Sequence, residues 1–563
     1  MRRTSRRTLL KGIGVAGAAG LIGTNAMATE TAAGGTDWPT AFSDDGRTSY
    51  TSESGLGPYA ALDFHIHNEN QDGSLQYDPH PPVVKDGAVF VTTQYKDTFE
   101  THGEVVAFDA TGEGMVWYET EDIGWVTGPP TVTDDTVYVT TQSALAEPQS
   151  DGSYYEPNKG GLLAFDKKTG ERKWTFKKRE HWQGSPVVHD GTVYAVSGGY
   201  RHEGSLYALN PDGTEKWQIS GGGSTLARVG ETLYTAGAAV GTDGTVKQTF
   251  DYDAEGARAD TLVATEDHLY LTGDKDTVWA ISTDDGSVAW EAQVAPDMAD
   301  STANRISAPA TGNGLVIVTS YDEENTVSAA HALNVATGEE QWQYVTEAEL
   351  VSRPSATNNI SRPTVTDDTV YVGGRFISVQ EKQGGTGRNA TQFALDAESG
   401  EKQWAFAFAP QFDNLKALAA AQADGRLYVT LSTEGIPPWG SRGSVGVLKP
   451  SDTEPGKRHR VADDTPQKPE APKPEPKITS EPPNAEEKNF DSGATVTLHG
   501  SESTSKNGAI EEFEWDIDAD GEFEKRGETI DVELDFCGVL DVTLKVTDEA
   551  GQTATKSIPL STV

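Results

Sequence analysis

The sequence predicts an all-β chain: an eight-bladed β-propeller followed by a separate β-sandwich. Three observations predict it. A hairpin phrase recurs eight times, around Phe90, Tyr138, Tyr194, Tyr234, Tyr270, Ile317, Tyr371 and Tyr428. A second phrase, ending in tryptophan, follows most copies, as in "ALDAESGEKQW" closing at Trp404. After a Pro-rich break, the tail carries short alternating strands of a different spacing.

The N-terminus reads "SRRTLLKGIGVAGAAGLIGTNAMA" from Ser5. Residues 1–28 hold five basic side chains (Arg2, Arg3, Arg6, Arg7 and Lys11) and no acidic one. Basic residues, a weakly apolar stretch and a small-residue cleavage site at Ala26–Met27–Ala28 follow in the order of an export signal. The stretch resembles the twin-arginine signal, with Leu9 where Phe is often found. No cysteine follows the cleavage site, so a lipid anchor is not expected, and no later stretch is apolar and long enough to span a bilayer. Residues 29–57 read as an extension outside the repeat.

Each of the eight copies reads as a hairpin. In "PPVVKDGAVFV" an apolar run meets Asp86–Gly87 and an alternating Val/Phe run leaves it. Asp-Gly supplies the positive φ that a tight hairpin turn requires. The second phrase then gives a third strand, a glycine turn and a fourth strand. Trp174, Trp217, Trp290, Trp342 and Trp404 each lie four residues after the turn glycine, and Trp117 lies five after Gly112. One four-stranded sheet cannot cover both its faces, whereas a ring of eight buries each between neighbours, with an indole filling the wedge between outer strands.

Two copies depart from the pattern. Copy four has Gln248 at the tryptophan position, with Phe250 nearby. Copy eight ends at "VGVLKP" with no fourth strand. The unassigned segment "YAALDFHIH" (59–67) is expected to supply it and to latch the ring shut. The phrases resemble the tryptophan-docking repeats of pyrroloquinoline-quinone (PQQ) dehydrogenases and their non-catalytic relatives, over about residues 58–449.

Charge narrows the function. The chain has 87 acidic and 45 basic residues and a formal net charge of −42. Such a surface repels nucleic acid and anionic membranes. The acidity could attract cationic ligands; the favoured expectation is that it is spread over the surface, as in proteins of salt-loving archaea, where molar salt shrinks the Debye length to about 3 Å and screens the self-repulsion. The single cysteine, Cys537, excludes an intramolecular disulfide and a Cys-rich metal site, and is expected to be a small packing residue.

Length variation concentrates between the second and third strands of each copy, on the face shared with the blade-to-blade connections. Loops on a rigid scaffold are where binding residues gather. The long ones belong to blades 1, 2, 7 and 8, which are contiguous in a closed ring. They hold Tyr95, Phe99, Tyr154, Tyr155, Phe376 and Trp439, aromatic side chains suited to contact surfaces. The connections add Trp125, His181, Trp182, Arg305 and Arg362, expected at the channel mouth. The sequons at Asn359 and Asn389 are glycosylation candidates on the same face.

From Pro450 the composition changes to a Pro-rich linker, residues 450–476, containing the basic cluster Lys457–Arg460, read as solvated. Residues 477–563 form short strands. "WDIDADG" and "GVLDVTLKVTDEAG" resemble a PKD domain, an immunoglobulin-like sandwich, with Leu540 where that family usually has an aromatic. Such domains act as spacers or contact protein and polysaccharide. Asp516, Asp518 and Asp520 before Gly521 match the front half of a Ca²⁺ loop, but Gly527 stands at the twelfth position and Glu528 is one too late.

The resemblance implies one of two functions. A quinone site needs a flat aromatic, Arg or Asn for the carboxylates of PQQ, oxygen ligands for Ca²⁺ and a carboxylate base. No ordered constellation of these is evident, and the adjacent-cysteine pair of the alcohol-dehydrogenase branch is absent. The favoured expectation is a non-catalytic binding or scaffold protein at the cell surface with a protein or polysaccharide partner. The alternative is a PQQ-dependent dehydrogenase of an alcohol or sugar. The role of related propellers in outer-membrane protein assembly requires an outer membrane, so only the scaffold idea transfers.

Overall fold

The computed structural model describes residues 37–562, with longer interruptions at 67–74, 143–160, 177–181, 251–256, 295–304, 347–360, 377–388, 409–415, 433–441 and 460–473, and shorter ones between. The described residues up to Ser451 form eight antiparallel sheets, each built on four strands in meander order. All eight hairpins expected from the sequence are present. Their first strands follow one another around a ring, closing between Val83–Lys85 of sheet one and Lys416–Ala423 of sheet eight.

Registers across the sheets explain the repeated phrase. Tyr138 on the second strand lies opposite Ala164 on the third, which lies opposite Trp174 on the fourth. The same row reads Tyr270–Ala280–Trp290 and Tyr371–Ala394–Trp404. The central alanine is small enough for the two flanking rings to meet over it. Ring centroids are 5.9 Å apart for Tyr138–Trp174 and 5.8 Å for Tyr371–Trp404, within the range of favourable aromatic pairs.

Trp117, Trp174, Trp217, Trp290 and Trp342 each dock on the next sheet, whereas Trp404 donates to the Gly57 carbonyl of the N-terminal segment at 3.1 Å. The Trp117 indole donates to the Lys167 carbonyl at 2.7 Å, Trp290 to Val335 at 2.9 Å and Trp342 to Ala397 at 2.9 Å. The six-membered edge of the ring covers the turn glycine. A Cβ at Gly170 would lie 2.7 Å from Trp117, and one at Gly400 would lie 2.5 Å from Trp342. Both glycines also have φ near +70°, so the position excludes other residues twice over. In copy four Gln248 and Phe250 together cover Gly286.

The latch forms as expected. Tyr59–Ile66 pairs antiparallel with the third strand of sheet eight, from Tyr59 opposite Ser451 to Ile66 opposite Val445. Phe64 takes the tryptophan's place in the row Tyr428–Val447–Phe64, and its ring covers Gly112 of sheet one. Sheets eight and one share a core that includes Ile66, Val84, Val89, Tyr428 and Val447.

One loop is shorter than expected. The segment of sheet one around Tyr95 is strand as far as Lys96, paired with Thr101. The "QYKDTFETHGE" stretch is therefore largely an extended hairpin rather than a long loop, because its alternating residues continue the ladder.

In the tail, a three-stranded sheet and a five-stranded sheet enclose one core. Trp515, Val532, Val542, Leu544 and Leu560 are buried in it, and Leu540 packs against it. The start of the linker is not wholly solvated. His459 stacks on Phe406 at 4.6 Å and bonds the Ala407 carbonyl at 2.7 Å. Cys537 lies outside the described residues.

Candidate functional site

The N-terminal extension, which carries no repeat, builds the centre of the ring. Its backbone hydrogen-bonds in turn to the first strands or their turns. Trp38 exchanges bonds with Val84 at 2.7 and 2.9 Å, and the Pro39 carbonyl accepts from Val132 at 2.8 Å. The Asp45, Gly46, Thr48 and Ser49 carbonyls accept from Arg228, Ala264, Thr311 and Val365 at 2.7–2.9 Å. Arg47 reaches sheet three through the Ser185 carbonyl at 2.8 Å, and Gln422 of sheet eight donates to the Ser54 carbonyl at 2.6 Å. All eight sheets are thus tied to one segment.

Most of these contacts fall at the ends of the first strands, beside the hairpin turns. In an antiparallel meander the second-to-third-strand loops and the sheet-to-sheet connections lie on the opposite face. The segment therefore closes the turn-side end of the channel. Phe42, Ser43, Arg47 and Ser49 have φ between 59° and 79°, in the left-handed region. Four such non-glycine residues so close together cost on the order of 1–3 kcal/mol each and persist only where the surroundings dictate the path.

The segment separates charge between its two sides. Asp44 and Asp45 face the turn side, where they line a cleft with Arg228 and Glu266. Burial raises the Asp44 carboxyl despite its hydrogen bonds from Thr48. Arg47, 3% exposed, points inward. On the loop side a 320 Å³ cavity has Phe42, Arg47 and Arg362 in its wall, together with residues at the starts of the first strands, including Pro129, Gln183 and Leu226. Burial, and next the Arg47 charge, push Arg362 down to about 9. Burial also lowers Arg47.

The structure places the expected site residues unevenly. Trp125 is 40% exposed at the start of sheet two. Trp182 is fully buried and does not line the channel. It fills the seam between sheets two and three, 5.8 Å from Phe176 and 5.1 Å from Tyr207. The cause is local: a register shift between Gln183 and Val187 separates Trp182 from the regular part of its strand. Arg362 is near the mouth but engaged with the chain itself, its guanidinium 3.8 Å above the Phe42 ring and donating to the Arg47 carbonyl.

Arg305 opens a strand opposite Tyr321. Tyr95 pairs with His102, and Phe376 with Asn389, at the loop-side ends of second and third strands. Phe99, Tyr154, Tyr155, His181, Asn359, Trp439 and Asp520 lie outside the described residues. In the tail, Asp516 and Asp518 meet Glu524, with carboxylate oxygens within 4.8 Å of one another. The third carboxylate is Glu524, not Glu528. The turn folds it back so that it accepts the Ile517 N–H at 3.0 Å. Gly527 instead offers its carbonyl to Trp515 at 2.9 Å.

The residues in hand fit a quinone centre poorly. None of the described residues lining the loop-side cavity carries a carboxylate, which both a calcium ion and a base would require. The two arginines fit the acidic groups of a ligand and nothing more of that chemistry.

No curated protein matches the chain. Among solved structures it is similar to quinohemoprotein alcohol dehydrogenase ADHIIG from Pseudomonas putida HK5. That match is 14% identical with a TM-score of 0.51 and covers 78% of this chain and 83% of that one. The quinohemoprotein alcohol dehydrogenase of Comamonas testosteroni matches at 14% identity and TM-score 0.49, covering 75% and 82%. BamB from Moraxella catarrhalis matches at 13% and 0.44, covering 71% and 100%. The first of these shows the fold, a β-propeller. A family model described as outer membrane protein assembly factor BamB matches residues 28–232 and 202–392. With its aromatic–alanine–tryptophan rows and glycine docks repeated from sheet to sheet, the chain belongs to that PQQ-repeat family.

Proposed function

We propose that the protein is an exported, non-catalytic binding protein of the cell surface. Its eight sheets are the blades of one propeller, and the face formed by the loops of blades 7, 8 and 2 and the extended hairpin of blade 1 receives a protein or polysaccharide partner. A PKD-like sandwich beyond the Pro-rich linker adds reach or a second contact. The observation that carries this reading is the N-terminal segment. It commits the axis of the ring, where a flat cofactor would lie, to holding the sheets together. What remains is a cavity without a carboxylate among its described lining residues.

The test has two arms. Purified protein is incubated with PQQ and Ca²⁺, dialysed, and assayed for quinone absorbance and dye-linked oxidation of alcohols and sugars. Retained quinone with turnover would establish the alternative, a quinoprotein dehydrogenase, which the likeness to ADHIIG favours. In the second arm, variants with the loops at 143–160 and 433–441 shortened are tested for retention on cell-envelope material, which should fall. In the tail, Asp516, Asp518 and Glu524 are offered as Ca²⁺ ligands. A calcium titration that leaves the melting of the tail unchanged removes that assignment.

A further inference from the structure

Two like charges meet at the centre of a strongly acidic protein. Arg47 uses its donors on neutral acceptors: Nε on the Leu226 carbonyl at 3.0 Å, Nη1 on Thr40 Oγ1 at 2.7 Å and the Ala41 carbonyl at 3.2 Å, and Nη2 on the Ser185 and Pro186 carbonyls at 2.8 and 3.2 Å. The acids beside it in sequence are engaged elsewhere. Asp45 pairs with Arg228 at 2.7 Å, and Asp44 accepts from Thr48. Arg362 stacks on Phe42 and donates one Nη2 bond, and its Nε is buried without an acceptor among the described residues. A buried donor left unmade is unfavourable, the more so when charged.

Arg362 itself borders the loop-side cavity, and part of its side chain stays open to it. Its other walls are mixed, with Phe42, Pro129, Leu226 and Leu262 giving an apolar part and His80, Thr127 and Gln183 a polar one. The volume of 320 Å³ suits a small organic molecule rather than a bare ion. We infer that the cavity binds a small organic acid, its carboxylate on Arg362 and its apolar body against Phe42, Pro129, Leu226 and Leu262. Arg47 supplies charge but no donors. A carboxylate here would meet the open part of Arg362 and offset the repulsion of two neighbouring cations in a medium that screens them poorly.

Benzoate serves as the probe, titrated calorimetrically into the full chain at fixed molar KCl. Saturable binding is expected, with benzyl alcohol, the uncharged counterpart, at least tenfold weaker. Arg362→Gln should weaken benzoate at least tenfold. Arg228→Gln, which loses an ion pair on the turn side, should bind as the native chain does. If Arg362→Gln does not fold, nitrogen NMR of the arginine Nε–H groups in the native chain replaces it, and the Arg362 signal should move on titration. Absent benzoate binding, equal binding of benzyl alcohol, affinity that survives Arg362→Gln, or an unmoved Arg362 signal would each overturn the inference. A failed titration leaves the partner-binding face untouched, and failed envelope retention leaves the cavity untouched.

Discussion

Gly400 and Gly87 offer a matched test of the docking geometry. Their φ values are 72° and 71°, so replacement by alanine imposes the same backbone penalty, about 1–2 kcal/mol for a left-handed residue. Their surroundings differ. A Cβ at Gly87 would meet nothing within 4 Å, whereas one at Gly400 would sit 2.5 Å from Cε3 and 2.6 Å from Cδ2 of Trp342. That indole is 7% exposed and fixed by its bond to Ala397, so it has little room to retreat. Overpacking of this kind adds about 1–3 kcal/mol. Gly87→Ala should therefore cost about 1–2 kcal/mol, and Gly400→Ala about 2–5 kcal/mol. Urea melts at constant molar salt, followed by circular dichroism, measure both, with an unchanged slope as the condition for comparison. In a Trp342→Leu background the extra penalty of Gly400→Ala should vanish, because the crowding atoms are gone. Equal losses for the two glycines, or full additivity with Trp342→Leu, would refute the account of the phrase as a ring-on-glycine dock.

Three further outcomes follow from the same geometry. Phe64→Ala should lower stability by about 1.5–3 kcal/mol, the worth of burying a phenylalanine, and a deletion of 58–67 should lower the melting temperature far more, both by calorimetry. Arg47→Ala strands buried acceptors on two sheets and on its own segment and should cost about 3 kcal/mol or more, at about 1.5–3 kcal/mol per charge-assisted hydrogen bond, measured by urea melts. Acid should weaken the turns. The Thr169 backbone N–H holds Asp166 below its ordinary 3.8, and the Lys167 ammonium does the same for Asp86. The unfolded chain takes up those protons first, so stability present above about pH 4 is lost as pH falls through the folded values. A melting temperature flat from pH 5 to about 3 would contradict this.

The repeat was legible because its chemistry is written in side chains: an Asp-Gly turn, a small alanine between rings, a glycine under an indole. The latch was legible for a complementary reason, since copy eight lacked a strand and an unassigned alternating segment lay at the other end of the ring. The centre of the ring was not. Residues 37–57 have no apolar period and look like a loop, and no composition signals left-handed Phe42 or Arg47. Trp182 was misplaced because a register shift, invisible in sequence, separates it from the regular strand. Glu524 was missed because counting along the chain cannot see a turn that folds a carboxylate back on Asp516.

The latch also sets a schedule. Asp63 on the first strand bonds Lys449, 386 residues later. At about 5–20 residues per second, the first strand made waits about 20–80 s for its partner to be synthesised. Seven sheets can form in order while an open edge persists at sheet eight and the strained segment at the axis has no complete ring to hold it. Closure is thus the last step in assembling the eight sheets, and a permuted chain beginning at residue 80 and ending with residues 37–66 should close within a fraction of that time.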